Sequence, residues 1–168
     1  MTFTSYAQMR KEAAAYREAG HAVAAWSLGI LLEPLSIKKR GVRIQENAWN
    51  QPLVGIDTDW VRAVQADMLI ERLAFVCLAG PVAERRRQRK GPREALYQER
   101  IQNAEALLGN LIDSPSQLAK QKRTLESQAE NMFDSRNMWN LTESLAQALL
   151  KQGTLSSKAA LKILQGSK

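Results

Sequence analysis

Apolar side chains recur at helical spacing through most of this 168-residue chain, and that periodicity limits the fold more than any other feature of the sequence. Leucine, alanine and aromatic residues fall three and four positions apart, so each such segment can bury one face as a helix. Six helices are predicted. The second begins at residue 60 and runs to the arginine cluster that begins at 85, and the others cover residues 6–32, 93–112, 115–133, 138–150 and 156–164. The sequence therefore predicts a mainly α-helical fold.

The stretch between Pro34 and Asp59 departs from this helical pattern. Short apolar runs at 35–37, 42–44 and 53–56 alternate there with glycine, asparagine and proline, which is typical of short strands joined by turns. We therefore expect an α+β protein of five or six helices, with a small two- to three-stranded β element between helices one and two. No repeat or long linker divides the chain, so residues 1–168 are predicted to form one domain.

The chain is basic, with a net charge of +7 and a sequence pI of about 9.8, which permits contact with nucleic acid, acidic proteins or anionic lipid. Much of the excess charge is in one short stretch that contains Arg85, Arg86, Arg87, Arg89, Lys90 and Arg93. No aromatic residue is interleaved there for stacking on bases. Two interpretations stay open: a solvated helix end, or a surface that binds nucleic acid or another anion.

The sequence lacks the usual marks of a membrane or secreted protein. No apolar run reaches the ~20 residues of a membrane-spanning helix, and the N-terminal residues lack the pattern of a secretory signal. The single cysteine, Cys77, lies in the apolar run 73–78 and is predicted to be a buried hydrophobic residue. No G-x-x-x-x-G-K-[ST] phosphate loop occurs, so no ATP site of that type is expected. We predict a cytoplasmic protein without a membrane span.

The segment that carries chemical information is Arg17-Glu18-Ala19-Gly20-His21, which differs at one position from the H-E-x-x-H motif of zinc peptidases. Positions 17 and 21 are one helical turn apart and face the same way, so two histidines there would bind one zinc ion. The glutamate between them would polarise the attacking water. Here Glu18 and His21 are present, but Arg17 has only N–H donors and stays protonated, so it cannot bind zinc.

Three segments resemble the peptidase domain of FtsH-type AAA proteases. Residues 15–26, with the sequence AYREAGHAVAAW, are similar to the active-site helix of that family. Residues 78–84, LAGPVAE, resemble its second helix, where a Gly-x-x-Ala-Glu segment packs against the active-site helix. The C-terminal segment from 139 to 164 resembles its closing helix, turn and short last helix. The resemblance spans about residues 13–165 and implies a stand-alone, mostly helical zinc-metallopeptidase scaffold with a small strand element.

In that family the third zinc ligand is an aspartate that opens the helix after the Gly-x-x-Ala-Glu segment. The resemblance places Arg100 at this position, with Glu99 one residue away as the alternative ligand. His21 is the only histidine in the chain. A catalytic zinc ion usually has three protein ligands and a water, so the implied site is degenerate. We expect no cofactor, or zinc if the site still functions.

The residues of the altered motif each have two interpretations. Arg17 either replaces the charge of the metal by pairing with a carboxylate such as Glu99, or turns to solvent at the rim of an abandoned cleft. His21 and Glu18 are either remnants of catalytic machinery or structural groups. In the structural interpretation the histidine bonds a nearby backbone group and the glutamate caps or pairs on the helix face.

Three functions stay open from the sequence. The one we favour is a catalytically impaired peptidase-like domain that binds a protein or peptide in the former substrate cleft, along the edge of the strand pair. The second is an active zinc endopeptidase in which Glu18 acts as base and His21 shares the metal with Glu99 or an extra water. The third is a basic module that contacts nucleic acid through residues 85–93.

Overall fold

The computed structural model describes residues 5–38, 59–88 and 94–166. The elements in these ranges are α1 (Tyr6–Ser27), β1 (Leu35–Ser36), α2 (Asp59–Arg87), α3 (Glu94–Leu108), α4 (Pro115–Asp134), α5 (Arg136–Gln152), β2 (Thr154–Leu155) and α6 (Ser157–Leu164). The predicted fold class, mainly helical with a small β element, is confirmed. No helix in the described ranges is long and apolar enough to span a bilayer.

The α1 helix ends earlier than predicted, because a glycine in the left-handed conformation follows its last turn. The apolar spacing continues to residue 32, but Gly29 adopts a left-handed φ of 71° and the helix stops at Ser27. The N–H of Leu28 bonds back to the carbonyls of Ala24 and Ala25, which satisfies the last turn. The apolar residues that follow therefore belong to the connection toward β1.

The second helix runs without interruption through the Gly80-Pro81 pair, where the sequence permits either a bend or a break. Pro81 has no N–H to donate to the carbonyl of Cys77, yet α2 continues to Arg87. One long helix therefore carries both the small residues of its middle part and the first arginines of the basic stretch.

The β element joins two distant parts of the chain. β1 lies between α1 and α2, as predicted, and pairs antiparallel with β2, which lies between α5 and α6. Leu35 pairs with Leu155, and Ser36 with Thr154. The predicted strands at 42–44 and 53–56 lie outside the described residues.

The first helix is the centre of the core and packs against α2 on one side and α5 on the other. Its buried residues are mostly small: Ala13, Ala15, Tyr16, Ala19, Ala22, Val23, Ala24 and Ala25. A second apolar cluster lies on the other side of α2, where α3 and α4 cover it. Cys77 is buried in this second cluster, as predicted, and burial raises the pKa of its thiol to about 11.

Two glycines allow α1 and α2 to approach closely. A Cβ atom at Gly20 would lie 2.5 Å from Cβ of Ala83 and 2.9 Å from the carbonyl oxygen of Ala79. A Cβ atom at Gly80 would overlap the imidazole ring of His21. The α1–α2 contact is therefore a surface of small residues into which one large polar ring is fitted.

The Gly80 contact gives a stability prediction. Gly80→Ala should lower the free energy of unfolding by about 1–3 kcal/mol, because the new methyl group overpacks a site already filled by the His21 ring. The same substitution in a His21→Ala background should cost much less, since the ring that it meets is gone. Urea denaturation of the four proteins of this double-mutant cycle measures the difference. Equal costs in the two backgrounds would show that the ring does not limit the approach.

Candidate functional site

The altered motif lies on the face of α1 that packs against α2. Arg17 keeps 22% exposure of its side chain, whereas Glu18 and His21 are buried at 8% exposure each. The first position therefore lies at the edge of the helix contact and the other two lie inside it.

An ion-pair bridge joins the two positions that the resemblance assigns to missing zinc ligands. Nη1 of Arg17 donates a hydrogen bond of 3.0 Å to Oε2 of Glu84. Nη1 of Arg100 forms an ion pair with the same carboxylate oxygen. Glu84 is 1% exposed, and each arginine side chain is 22% exposed. The Arg17–Glu84–Arg100 bridge thus connects α1, α2 and α3 through a buried carboxylate.

The predicted pairing of Arg17 with a carboxylate is confirmed, but the carboxylate is Glu84 and not Glu99. Glu99 is exposed on α3, and the ion pair of Arg17 in the described residues is with Glu84. The alternative in which Arg17 turns to solvent is wrong, because its guanidinium is held at the helix contact. Glu84 lies one helical turn after Gly80, so it points from α2 toward the same neighbour. The Gly-x-x-Ala-Glu spacing is thus the sequence signal that places Glu84 on the face of α2 toward α1.

His21 is buried, and one of its ring nitrogens bonds to the backbone of α2. Its Nδ1 lies 2.7 Å from the carbonyl oxygen of Val76. A carbonyl only accepts hydrogen bonds, so Nδ1 carries the proton and Nε2 is left as an acceptor. The pKa of His21 is lowered to about 4, mainly by burial and to a smaller extent by the Arg17 charge, while the Val76 bond opposes the shift. The imidazole is therefore neutral at pH 7.

Glu18 is perturbed in the opposite direction. Burial raises the pKa of its carboxyl to about 7, and the positive charge of Arg17 limits the rise. Near neutral pH this carboxyl is therefore divided between its neutral and ionised forms. A buried carboxyl whose pKa lies near the working pH is a common feature of functional sites.

The described residues around His21 do not fit a zinc ion. Arg17 and Arg100 offer only donors, and both are engaged with Glu84. Across residues 5–38, 59–88 and 94–166, no three His, Cys, Asp or Glu side chains lie close enough together to hold a metal. Glu18 and Nε2 of His21 alone fall short of the three protein ligands of a catalytic zinc site.

The arginines at the end of α2 are engaged with neighbouring helices. Each of the three in the described residues pairs with a carboxylate and lies over an aromatic ring. The ion pairs are Arg85–Glu130 at 2.7 Å, Arg86–Asp134 at 2.5 Å and Arg87–Glu12 at 2.8 Å, and the rings are those of Tyr97, Trp139 and Tyr16 respectively. These groups fasten α2 to α1, α4 and their neighbours. Arg89, Lys90 and Arg93 lie outside the described residues.

Comparison of the chain with models of known protein families and with curated protein sequences gives no match. The likeness to FtsH-type peptidase domains therefore rests on the three sequence segments that carry it. The ion pairs of Arg17 and Arg100 with Glu84 are contacts in the structure, and they do not depend on that likeness.

The bridge predicts a measurable contribution to stability. Arg17→Ala should lower the free energy of unfolding by more than ~1 kcal/mol, because it leaves buried Glu84 with one partner. Glu84→Gln should cost more, about 3 kcal/mol, because two partly buried guanidinium groups then lose their counter-charge. Arg123→Ala on the exposed face of α4 is the matched control and should change stability by less than ~0.5 kcal/mol. If Arg17→Ala and Arg123→Ala unfold at the same urea concentration, the bridge contributes nothing.

The opposite pKa shifts of Glu18 and His21 predict a compensated pH dependence. The pKa of His21 falls from 6.5 to about 4 on folding, so the unfolded chain binds more protons in that window and stability drops as pH falls through it. The pKa of Glu18 rises from 4.5 to about 7, so the folded chain binds more protons and stability drops as pH rises through that window. In the unaltered protein the two slopes oppose each other.

Each single variant should uncover one slope. Stability of Glu18→Gln relative to the unaltered protein reports the glutamate that is removed, so it should decrease as pH falls from about 7 to 4.5. Relative stability of His21→Gln reports the histidine that is removed, so it should decrease as pH rises from about 4 to 6.5. Urea denaturation at several pH values measures both. Parallel stability curves for the three proteins would mean that neither group is perturbed by folding.

Proposed function

We propose that this protein is a peptidase-like binding domain that is related to the FtsH-type zinc peptidases and binds a protein or peptide without cleaving it. The observation that carries the proposal is the Arg17–Glu84–Arg100 bridge, which connects the two positions where that family has metal ligands. In this proposal the guanidinium groups hold together helices that a metal ion would otherwise hold. In this proposal the ion pairs replace the stabilisation that a bound metal would supply.

The environment of His21 supports the relationship to metallopeptidases. A histidine that binds a metal usually donates its second ring N–H to a carboxylate or a backbone carbonyl, which fixes the orientation of the ring. Nδ1 of His21 makes this contact with Val76 and leaves Nε2 as the acceptor. The supporting contact of a metal ligand is thus in place although the other ligands are replaced.

Hydrolysis is disfavoured by the chemistry of the same residues. Zinc peptidases need a Lewis acid that activates water and stabilises the tetrahedral intermediate. Glu18 has the acidity of a general base, with a pKa of about 7, but the arginines beside it supply no ligands for a metal. The zinc endopeptidase alternative relies on Glu99 or an extra water in place of the missing ligands, and Glu99 is exposed on α3.

The location of the bridge favours binding of a peptide. Arg17 and Arg100 reach the surface. Within residues 5–38, 59–88 and 94–166, β1 pairs only with β2, which leaves its other edge for an extended chain. The nucleic-acid alternative is less favoured, since Arg85, Arg86 and Arg87 already pair with carboxylates. A phosphate backbone would have to displace these pairs.

Metal content tests the loss of the zinc site. We expect no stoichiometric zinc in the unaltered protein, and zinc in the variant Arg17→His/Arg100→Asp, which restores the two ligand positions beside His21. Elemental analysis after incubation with zinc gives the ratio, and a zinc-dependent rise in Tm checks that the ion binds the folded state. The single variant Arg17→His is the control for partial restoration. Stoichiometric zinc in the unaltered protein would overturn the proposal, and no zinc in any variant would remove the link to zinc peptidases.

Peptide binding is tested by selection from a library of random displayed peptides. The unaltered protein is the target, and the variant Arg17→Ala/Arg100→Ala is the counter-target, with circular dichroism to confirm that it folds. We expect enriched peptides that bind the unaltered protein and remain intact after long incubation with it. Absence of enrichment, or cleavage of the enriched peptides, would count against a binding domain.

A further inference from the structure

The bridge holds one more positive charge than negative charge. Arg17 and Arg100 both contact Oε2 of Glu84, and within the described residues no other carboxylate lies within ion-pair distance of either guanidinium. Two cations thus share one anion, and the bridge has a net charge of +1. Glu18, whose carboxyl interacts electrostatically with Arg17, lies beyond ion-pair distance of both guanidinium groups.

The environment makes this excess charge accessible to an anion. Glu84 is 1% exposed, so its carboxylate is inside the protein, whereas 22% of each arginine side chain reaches solvent. A guanidinium group has five N–H donors, and the contact with Glu84 uses one nitrogen of each group. Donors therefore remain for a ligand on the solvent side, in a partly desolvated place where charge pairing is stronger than in bulk water.

The balance of charge favours an anion with a single negative charge. One added carboxylate would neutralise the bridge, and its two oxygens match the planar donors of guanidinium groups. A doubly charged phosphate would leave an excess negative charge beside the buried Glu84 carboxylate. The same place therefore suits a carboxylate better than a phosphate.

We propose that Arg17 and Arg100 form a carboxylate-binding site for a peptide ligand. The carboxylate comes either from the C-terminus of the peptide or from an aspartate or glutamate side chain. This inference rests on the proposed function, since it names the group that the bound peptide presents to the bridge. Glu84 positions the two arginines, and the ligand completes the neutralisation that Glu84 alone does not achieve.

Acetate is the probe for the test, and the readout is the NMR signal of the arginine Nε–Hε groups, assigned with Arg17→Lys and Arg100→Lys. We expect the Arg17 and Arg100 signals to shift saturably with a roughly millimolar Kd. Sodium chloride at equal ionic strength should leave them in place, and exposed Arg123 should not respond to acetate. Each lysine variant should weaken binding by roughly tenfold or more. Lysine keeps the positive charge but lacks the planar N–H donors that can contact both oxygens of a carboxylate.

Three results would overturn the proposal. These are the absence of a saturable shift with acetate, an equal shift with chloride, and tighter binding of inorganic phosphate than of acetate.

N-acetylglycine and N-acetylglutamic acid α-amide then separate the two sources of carboxylate. Tighter binding of one than of acetate supports the site and identifies its source, whereas weaker binding of both contradicts a peptide ligand. Failure with acetate together with successful selection of peptides would leave the proposed function intact and place the peptide elsewhere.

Discussion

The close approach of α1 and α2 is the constraint on which the rest of the structure depends. Gly20 and Gly80 lack the side chains that would separate the helices, and Ala79 and Ala83 add little bulk. The separation set by these residues brings the His21 ring against α2 and directs Glu84 toward Arg17. The polar groups of the site are therefore buried because the backbones are near, and their pKa shifts follow from that burial.

Ion pairs and a bound metal ion can each hold several helices together, but they do so by different interactions. A zinc ion directs its ligands through short bonds of fixed geometry, and it also supplies reactivity. Two guanidinium groups around a buried carboxylate can join the same number of helices, with the planar geometry of their donors setting direction. They provide no Lewis acid. In this interpretation a scaffold can keep its shape while the chemistry at its centre changes from hydrolysis to recognition.

The sequence predicts the helices well because each one carries a repeated signal of its own. Apolar spacing locates all six helices of the described residues, and the left-handed conformation of Gly29 accounts for the early end of α1. Contacts between distant elements have no such signal. The partner of β1 is a pair of residues, Thr154 and Leu155, too short to be recognised as a strand. Likewise the sequence marks Arg17 as anomalous, but the choice of Glu84 over Glu99 depends on the orientation of α2 relative to α1.

The pairing of β1 with β2 also has a consequence for how the chain folds. Leu35 and Leu155 are separated by about 120 residues along the sequence, so the pair closes a very long loop. Closure of such a loop costs entropy that two short strands repay poorly, and contacts of this range form slowly compared with those inside helices. We therefore expect the strand pair to form in the last stage of folding, after α1 and α5 have docked.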